Sequence, residues 1–447
     1  MTISERIAQY INEIRYEQLT KEVIEHAKFC FLDWMAVTVA GAKEEVTERL
    51  LQSVKEFGGK EQATIIGKAT KLSLPFAALV NGTSSHALDY DDVYVKTSGS
   101  TGFGHPSAPV VPAVLALSEW QGLSGKEFIL SLVVGIQVEY AVGEGMIPEH
   151  YDQGWHNTGT IGHLGAAAGA SKLLHLDPGS IVNAIGIAAT QAAGLRQVFG
   201  TMCKPLHAGK AAMNGLLSAL WAGNGMDSSA DSLDGELGFL RIYSSNPHPE
   251  KVTQSLSAGY HILKARFKDY PSCRGTHAVI DGVVELRKKH PVPAEQVKEI
   301  HCTVAPLSYE ICKNPSPQTG MEGKFSLAHC AAAAWVEGPL YCSHFNDERM
   351  ADPVISRLRD KVKLSTDPGL LTSQSKIVML LESGFKYEFF SDIYRAEKEK
   401  TNRERLYHKS YDILDPLIGR EKLGQLIRSI EGLDRLESIS EVTRCLV

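Results

Sequence analysis

The sequence of 447 residues predicts a mainly α-helical protein, with a large all-helical domain and a smaller α+β lid domain. Segments rich in Ala and Gly, with apolar residues at helical spacing, recur through the first 265 residues. Apolar and polar residues then alternate over 297–304, which is typical of a half-buried strand. We therefore expect residues 1–265 to form the helical domain, completed by about 405–447, and 266–404 to form the lid.

The first helices are predicted from spacing and capping signals. Ser4 is the expected N-cap of a helix, because Ile7 and Ile11 follow at helical spacing. A second helix is expected over 19–40, and Gly41 is expected to end it.

Three later segments of the first domain are unusually rich in small residues, at 161–174, 181–193 and 211–222. Small side chains let helices approach closely, so these segments indicate a compact bundle with buried central helices. Membrane spans are disfavoured because the segments are short and separated by polar turns.

The lid is predicted to mix strands with helices. A β-hairpin is expected over 377–390, because two strand-like runs flank Glu382-Ser383-Gly384. Helices are expected at 278–289 and 326–336. After about residue 404 the helical spacing returns, and this segment is expected to pack on the first domain.

Composition and charge restrict the function classes. A net charge of −6 disfavours nucleic acid as the main partner, although a few local cations still permit an anionic substrate. No secretory signal is recognised at the amino terminus, and the most apolar stretch, 129–142, is too short to span a bilayer. We expect a cytoplasmic protein without a membrane partner.

The eight cysteines are scattered and contain no C-x-x-C pair. This distribution favours reduced thiols and disfavours zinc and iron–sulfur ligation. We therefore expect no metal and no cofactor, and an iron–sulfur hydro-lyase is disfavoured.

The segment His86-Ala-Leu-Asp-Tyr-Asp-Asp92 brings three carboxylates together. Such groups repel one another, so at least one of Asp89, Asp91 and Asp92 is expected to have a raised pKa. A helix end followed by solvated acids remains the alternative.

Two histidines lie beside residues that interrupt helices. His105, between Gly104 and Pro106, is expected to be an acid/base group, with a structural loop histidine as the alternative. His156 precedes Thr158 and Thr160, either of which is a candidate cap for a helix whose amino terminus favours anions. A capping and packing turn is the alternative for His156.

Two cations stand among apolar or constrained residues. Lys204 precedes Pro205 and is expected on a loop that enters a helix, where its ammonium needs a substrate carboxylate or Asp89 as a partner. Arg274 is expected to clamp a carboxylate, which a guanidinium does through two parallel hydrogen bonds. Cys273 carries no specific signal for activation as a nucleophile.

Together the motifs H-A-L-D-Y-D-D, G-H-P-S, G-W-H, F-G-T-M-x-K-P-L-H-A-G and Y-P-S-C-R-G-T-H, in this order, resemble those of the MmgE/PrpD family. The resemblance spans nearly the whole chain. This family includes 2-methylcitrate dehydratases, cis-aconitate decarboxylases and an iminodisuccinate epimerase. It implies a helical domain with an α+β lid, a homodimer, and catalysis without a cofactor in the cleft.

The resemblance places functional positions at Asp89, His105, His156 and Lys204, with His277 contributed from the lid. The step that these reactions share is proton transfer at a carbon next to a carboxylate, which needs cations to stabilise the enediolate. The implied roles are proton exchange by the two histidines and orientation of an imidazole or of Lys204 by Asp89. Lys204, Arg274 and His277 are expected to bind the substrate.

The sequence thus predicts a cofactor-independent lyase of the dehydratase type, which acts on a small di- or tricarboxylate such as 2-methylcitrate in propionate catabolism. An epimerase of an iminodisuccinate-like dicarboxylate and a catalytically idle metabolite-binding protein remain alternatives. Val93 stands where the decarboxylase pattern has Thr, and residues 96–101 lengthen the adjacent stretch. Both departures argue against cis-aconitate as the substrate, and they also argue against assigning 2-methylcitrate from the resemblance alone.

Overall fold

The computed structural model describes residues 1–94, 104–394 and 402–446. Helices dominate, as predicted, and the longer strands are confined to the second part of the chain. In the first part the helices are α1 (Ile3–Glu13), α2 (Lys21–Gly41), α3 (Glu45–Lys55), α4 (Leu74–Ala87), α5 (Ser107–Gln121), α6 (Gly125–Glu144), α7 (Glu149–Asp152), α8 (Asn157–Thr160), α9 (Gly162–Leu173), α10 (Pro178–Gln191), α11 (Cys203–Gly223), α12 (Phe239–Tyr243) and α13 (Pro249–Ser257).

The second part contains both helices and strands. Its helices are α14 (Arg274–Lys289), α15 (Pro306–Cys312), α16 (Gly320–Gly323), α17 (Leu327–Glu337), α18 (Asp347–Met350) and α19 (Pro353–Asp360), and the chain ends with α20 (Asn402–Ile418), α21 (Arg420–Glu431) and α22 (Ser440–Thr443). The strands of the whole chain are β1 (Ala63–Thr64), β2 (Lys71–Leu72), β3 (Val93–Tyr94), β4 (Ala265–Arg266), β5 (Val297–Val304), β6 (Val362–Thr366), β7 (Gln374–Leu381) and β8 (Lys386–Asp392).

Buried apolar side chains form two main clusters. The larger one combines residues between Ile3 and Phe267 with residues between Leu406 and Leu446, so the last helices pack on the first part of the chain. The second cluster lies between Tyr270 and Leu381. These clusters support a division near residue 265, which stays a prediction.

The sheet of the second part has the strand order β6-β5-β7-β8. β5 pairs with β6 in parallel and with β7 antiparallel, while β7 and β8 form the predicted hairpin. Helix α14 packs on β7 and β8, where Gly282 lets it approach: a Cβ at this position would lie 2.7 Å from the side chain of Ile377. The sheet therefore supports α14, whose amino terminus carries Arg274.

Two local predictions were wrong. Thr2, not Ser4, caps the first helix, because the Thr2 hydroxyl accepts a hydrogen bond from the Glu5 amide while Ser4 is already inside the helix. Helix α11 begins at Cys203, eight residues before the predicted start, so Lys204 lies in the first turn of a helix rather than on a loop. Pro205 is compatible with this position, since amides of the first turn have no partner within a helix.

At the centre of the bundle, α4 and α11 pack with almost no space between their backbones. A Cβ at Gly82 would lie 2.7 Å from Cα of Gly209, and a Cβ at Gly209 would lie 2.1 Å from the carbonyl oxygen of Leu79. This contact holds the end of α4 beside the start of α11. In the described part of the chain, no helix has the length and apolar character that crossing a bilayer requires.

We predict that Gly209→Ala destabilises the protein by about 1–3 kcal/mol or more, because the added methyl group meets backbone atoms that have no room to move. Gly424→Ala on α21 is the matched control. A Cβ there meets only the flexible end of Arg428, so the helix should gain about 0.5–1 kcal/mol. Urea unfolding measures both. Equal effects of the two substitutions would contradict this account of the α4–α11 contact.

Candidate active site

Five of the predicted polar residues, Asp89, His105, His156, Lys204 and Arg274, line one cleft between the two parts of the chain. The cleft has a cavity volume of about 100 Å³ and is partly open to solvent. Its lining comprises Asp89, Val93, Gly104, His105, Tyr151, His156, Asn157, Phe199, Lys204, Lys268, Cys273, Arg274, Gly275, Leu307, Ser308, Ile311, Phe325 and Thr372.

Asp89 follows α4 and takes a left-handed backbone conformation, with φ of 51°. Its Oδ1 accepts hydrogen bonds from Lys204 Nζ at 3.0 Å and from Lys268 Nζ at 2.8 Å. Lys268 also donates to the carbonyl oxygens of Asp89 and Ser272. Burial raises the pKa of Asp89, but the two ammonium groups outweigh burial and hold this pKa well below its usual range.

Asp91 lies between two imidazoles. Both of its oxygens are 3.0 Å from Nδ1 of His86, and Oδ2 is also 3.0 Å from Nδ1 of His105, although that ring is not aligned for an ideal hydrogen bond. Burial raises the pKa of Asp91, and the two imidazoles overcome this and hold it well below its usual range. Asp91 is therefore an ionised carboxylate that accepts a hydrogen bond from His86 and lies beside the ring of His105.

The protonation of His86 follows from its neighbours. Lys204 Nζ lies 2.9 Å from Nε2 of His86, and an ammonium group only donates hydrogen bonds. Nε2 of His86 must therefore accept, which leaves Nδ1–H to donate to Asp91. Burial lowers the pKa of His86 to about 4, an effect that Asp91 partly opposes, so the ring is neutral at neutral pH.

His105 and His156 both line the cleft and both are neutral. Burial lowers the pKa of His105, and Asp91 offsets part of this effect. For His156, burial and then Lys204 place the pKa well below its usual range. The His156 ring packs edge-on against Phe199, with centroids 4.9 Å apart, and its Nδ1 lies 2.9 Å from Nδ1 of His207.

Asp92 lies behind the cleft. Of the three acids in this motif, it is the one whose pKa is raised. Ser107 bonds both of its oxygens, through its backbone amide at 3.2 Å and its hydroxyl at 2.6 Å. Burial and then Asp33 raise the pKa of Asp92 to about 8. All three acids are buried, so the alternative of solvated acids was wrong.

The second part of the chain contributes Arg274 and His277 in different ways. Arg274, the first residue of α14, lines the cleft. His277 is buried, with Nε2 3.2 Å from the carbonyl oxygen of Ser272 and Nδ1 3.3 Å from a guanidinium nitrogen of Arg274. Among the described residues that line the cleft, His277 does not appear. It contacts Arg274 from behind. This position therefore favours an indirect role through Arg274 over direct contact with the substrate.

The sequence patterns did not assign roles to His86 and Lys268. His86 is the first residue of the acidic motif, and its place in that motif was the only signal in the sequence that could have indicated a role. Lys268 follows Phe267 in a segment with no recognisable pattern, and only the fold brings it to Asp89. The expected caps were also wrong, because His156 and Ile161, not Thr158 or Thr160, occupy the positions before α8 and α9.

Four of these side chains lie close enough to share a cation: ligand atoms of His86, Asp89, Asp91 and His105 are within 4.8 Å of one another. However, Lys204 and Lys268 already supply two positive charges to this group. Binding of a further cation beside two ammonium groups is electrostatically unfavourable. The cluster suits proton transfer better than metal binding.

Val93 lines the cleft and pairs with Arg266 through β3 and β4. The lengthened stretch at 96–101 lies outside the described residues.

Fold and site together define the class of protein. The family model of the MmgE/PrpD N-terminal domain matches residues 5–252, and that of the MmgE/PrpD C-terminal domain matches residues 270–422. The chain belongs to the MmgE/PrpD family.

Similar curated proteins include three named cis-aconitate decarboxylase. The protein of Mus musculus is 28% identical over 470 aligned positions, which cover 100% of this chain and 93% of the mouse protein. The protein of Homo sapiens is 27% identical, with 100% and 94% covered. The protein of Aspergillus terreus is 26% identical, with 99% and 96% covered.

We predict that Asp92→Asn flattens the pH dependence of stability. In the folded state this carboxyl group is protonated up to a pKa of about 8, whereas in the unfolded chain it ionises above its ordinary pKa of 3.8. Stability therefore falls as pH rises between these two values, by about 1.4 kcal/mol per pH unit from this group. Asparagine retains donor and acceptor atoms for Ser107 without ionising.

The measurement is the free energy of unfolding in urea between about pH 5 and pH 8. The difference between variant and wild type should shift in favour of the variant as pH rises. Parallel curves would show that Asp92 is not protonated in the folded protein.

Proposed function

We propose that the protein is a cofactor-independent lyase that acts on a small di- or tricarboxylate by proton transfer at a carbon next to a carboxylate. The observation that carries this proposal is the position of His105, a neutral imidazole in the cleft with Asp91 behind it and two lysines nearby. Neutral imidazole is a proton acceptor that works near neutral pH.

The charge of Asp91 supports His105 as the base. Because the ionised carboxylate lies 3.0 Å from Nδ1 of His105, it favours a proton on that nitrogen and leaves the lone pair on Nε2, which lies 3.8 Å from Oδ1 of Asp89. When Nε2 takes a proton from the substrate, the negative charge of the nearby Asp91 stabilises the imidazolium that forms. His156 has no carboxylate among its described hydrogen-bond partners, so a positive charge there has no comparable support.

The cations of the cleft support an anionic substrate. Lys204, Lys268 and Arg274 bring three positively charged side chains to the lining of the cleft. These groups attract a carboxylate and stabilise the enediolate that forms when the neighbouring carbon loses its proton. The ring centroids of Phe199 and Phe325 each lie 5.5 Å from Nζ of Lys204. The two rings exclude water from the ammonium group, which strengthens its electrostatic interactions.

Dehydration of a hydroxy acid is the form of lyase that we propose first. Oδ2 of Asp89 is buried and has no hydrogen-bond partner among the described residues, whereas Oδ1 serves both lysines. A free carboxylate oxygen repels a substrate carboxylate but accepts a hydrogen bond from a substrate hydroxyl. A 2-methylcitrate-like substrate offers such a hydroxyl, and this substrate would place the protein in propionate catabolism.

Decarboxylation of an unsaturated tricarboxylate is the second candidate, because the relatives are named cis-aconitate decarboxylases. Both reactions use an acid/base group and bound carboxylates, so they differ in the group that leaves. Val93 at the cleft wall is the departure that argues against cis-aconitate. A homodimer and a cytoplasmic location remain predictions from the sequence.

The experiment that tests the function is solvent exchange in D₂O, followed by proton NMR, with 2-methylcitrate, citrate, cis-aconitate and iminodisuccinate supplied separately. Loss of water identifies a dehydratase, and loss of CO₂ identifies a decarboxylase. Exchange or inversion without elimination supports the epimerase alternative. Binding without exchange or turnover for all four acids would contradict the lyase and support the idle binder.

We predict that His105→Gln lowers kcat by about 100- to 10,000-fold with little change in KM, because the substituted residue cannot accept the substrate proton. His301→Gln, at an exposed position on β5, is the matched control and should retain full activity. Steady-state kinetics on the substrate identified above provide the measurement. Full turnover by the His105 variant would refute its role as the base.

The pH profile gives a second test of the same base. Since burial lowers the pKa of His105, the acid limb of kcat/KM should lie below pH 6.5, the ordinary pKa of histidine. Removal of the Asp91 charge by Asp91→Asn should lower the pKa of His105 further and move this limb to lower pH, together with a loss of kcat. An unchanged limb would exclude Asp91 as the partner of the base.

A further inference from the structure

His207 contacts His156 from outside the cleft. The two Nδ1 atoms are 2.9 Å apart, and the ring centroids are 5.2 Å apart. His156 is buried and lines the cleft, whereas His207 is half-buried and is not among the described lining residues. A hydrogen bond between two nitrogens needs one donor and one acceptor, so only one of these Nδ1 atoms carries the hydrogen.

The position of the His207 ring is fixed by two glycines. A Cβ at Gly159 would lie 3.0 Å from Cβ of His207, and a Cβ at Gly194 would lie 3.2 Å from its Nδ1. The carbonyl oxygen of Gly194 also accepts a hydrogen bond from the backbone amide of His156, at 2.9 Å. Gly194 therefore contacts both residues, and a side chain at Gly159 or at Gly194 would crowd His207.

Both rings are neutral, so a single hydrogen lies between them. Burial, followed by Lys210, lowers the pKa of His207 to about 4. Burial and Lys204 place the pKa of His156 well below its usual range. In a neutral imidazole the two nitrogens have opposite roles. The direction of the hydrogen bond from or to His207 therefore decides whether His156 presents a lone pair or an N–H at Nε2.

We propose that His207 donates its Nδ1–H to Nδ1 of His156 and so holds His156 in the tautomer that presents Nε2–H to the substrate. This inference rests on the proposed function in one respect, namely that the ligand is an anion. A lone pair directed at a carboxylate is repelled, whereas an N–H is a hydrogen-bond donor to it. His207 is a positioning residue, because it acts through His156.

The proposal assigns different roles to the two cleft histidines. His105 has the Asp91 carboxylate 3.0 Å from its Nδ1, and this negative charge favours a proton on Nδ1 and a basic Nε2. His156 has an imidazole behind it, which donates a hydrogen bond and makes Nε2 a donor. The donor stabilises negative charge on the substrate carboxylate as the base removes the proton.

The direct test is the tautomer of His156 in the full-length, ligand-free protein labelled with ¹⁵N-histidine. Two-bond and three-bond ¹H–¹⁵N correlation spectra distinguish a protonated from a bare ring nitrogen, and a His156→Gln sample assigns the signal. We expect bare Nδ1 and protonated Nε2. Protonated Nδ1 in the wild-type protein would overturn the proposal, whatever the substrate is.

Three substitutions of similar size give the functional test. His207→Asn places an amide donor near the former Nδ1, His207→Leu removes every hydrogen bond, and His207→Asp supplies an acceptor. We expect kcat near wild type for Asn, and a loss of about 10- to 100-fold for Leu and at least as much for Asp, with KM nearly unchanged. A loss of packing alone would affect the three variants similarly.

The order of the variants is therefore decisive. If Asp retains as much activity as Asn, or if Leu matches Asn, the proposal is wrong. The NMR measurement needs no substrate, so failure of the proposed lyase activity and failure of this inference are distinguishable. If none of the four acids is turned over, the tautomer of His156 measured by NMR still decides whether the proposal for His207 is right.

Discussion

The shared hydrogen bonds of Asp89 Oδ1 are the interaction on which the rest of the site depends. One carboxylate oxygen joins Lys204, from the first turn of α11, to Lys268, from the segment that leads to the lid. Because all three side chains are buried, removal of Asp89 would leave two buried ammonium groups without their shared carboxylate, which is far more costly than loss of a surface pair. The same contact therefore connects the two parts of the chain and fixes the positions of charged groups that determine the electrostatic field in the cleft.

The identity of the group behind each imidazole determines the chemistry of the cleft. Burial is the largest cause that lowers the pKa of His86, His105 and His156, and Lys204 lowers all three further, so none of them binds the substrate as a fixed cation. What distinguishes them is the partner: Lys204 donates to His86, Asp91 accepts near His105, and His207 shares a hydrogen with His156. Second partners thus give chemically identical side chains different functions.

A carboxyl group that stays protonated helps to place His105, the proposed base. Asp92 bonds the amide and hydroxyl of Ser107, two residues after His105, and so holds the start of α5 against the acidic motif. A protonated carboxyl group avoids a third negative charge beside Asp89 and Asp91. The three acids therefore divide into two ionised acceptors and one neutral anchor, and environment rather than sequence position makes the division.

The sequence by itself determined the helical character, the strand at 297–304, the hairpin, and the set of motif residues, because hydrophobic spacing and turn chemistry are local. It did not determine that α11 begins at Cys203, that His277 lies behind Arg274, or that Lys268 reaches Asp89. Tertiary structure decided these features, because burial and partners more than one hundred residues apart in sequence set the pKa values and tautomers on which the chemistry depends.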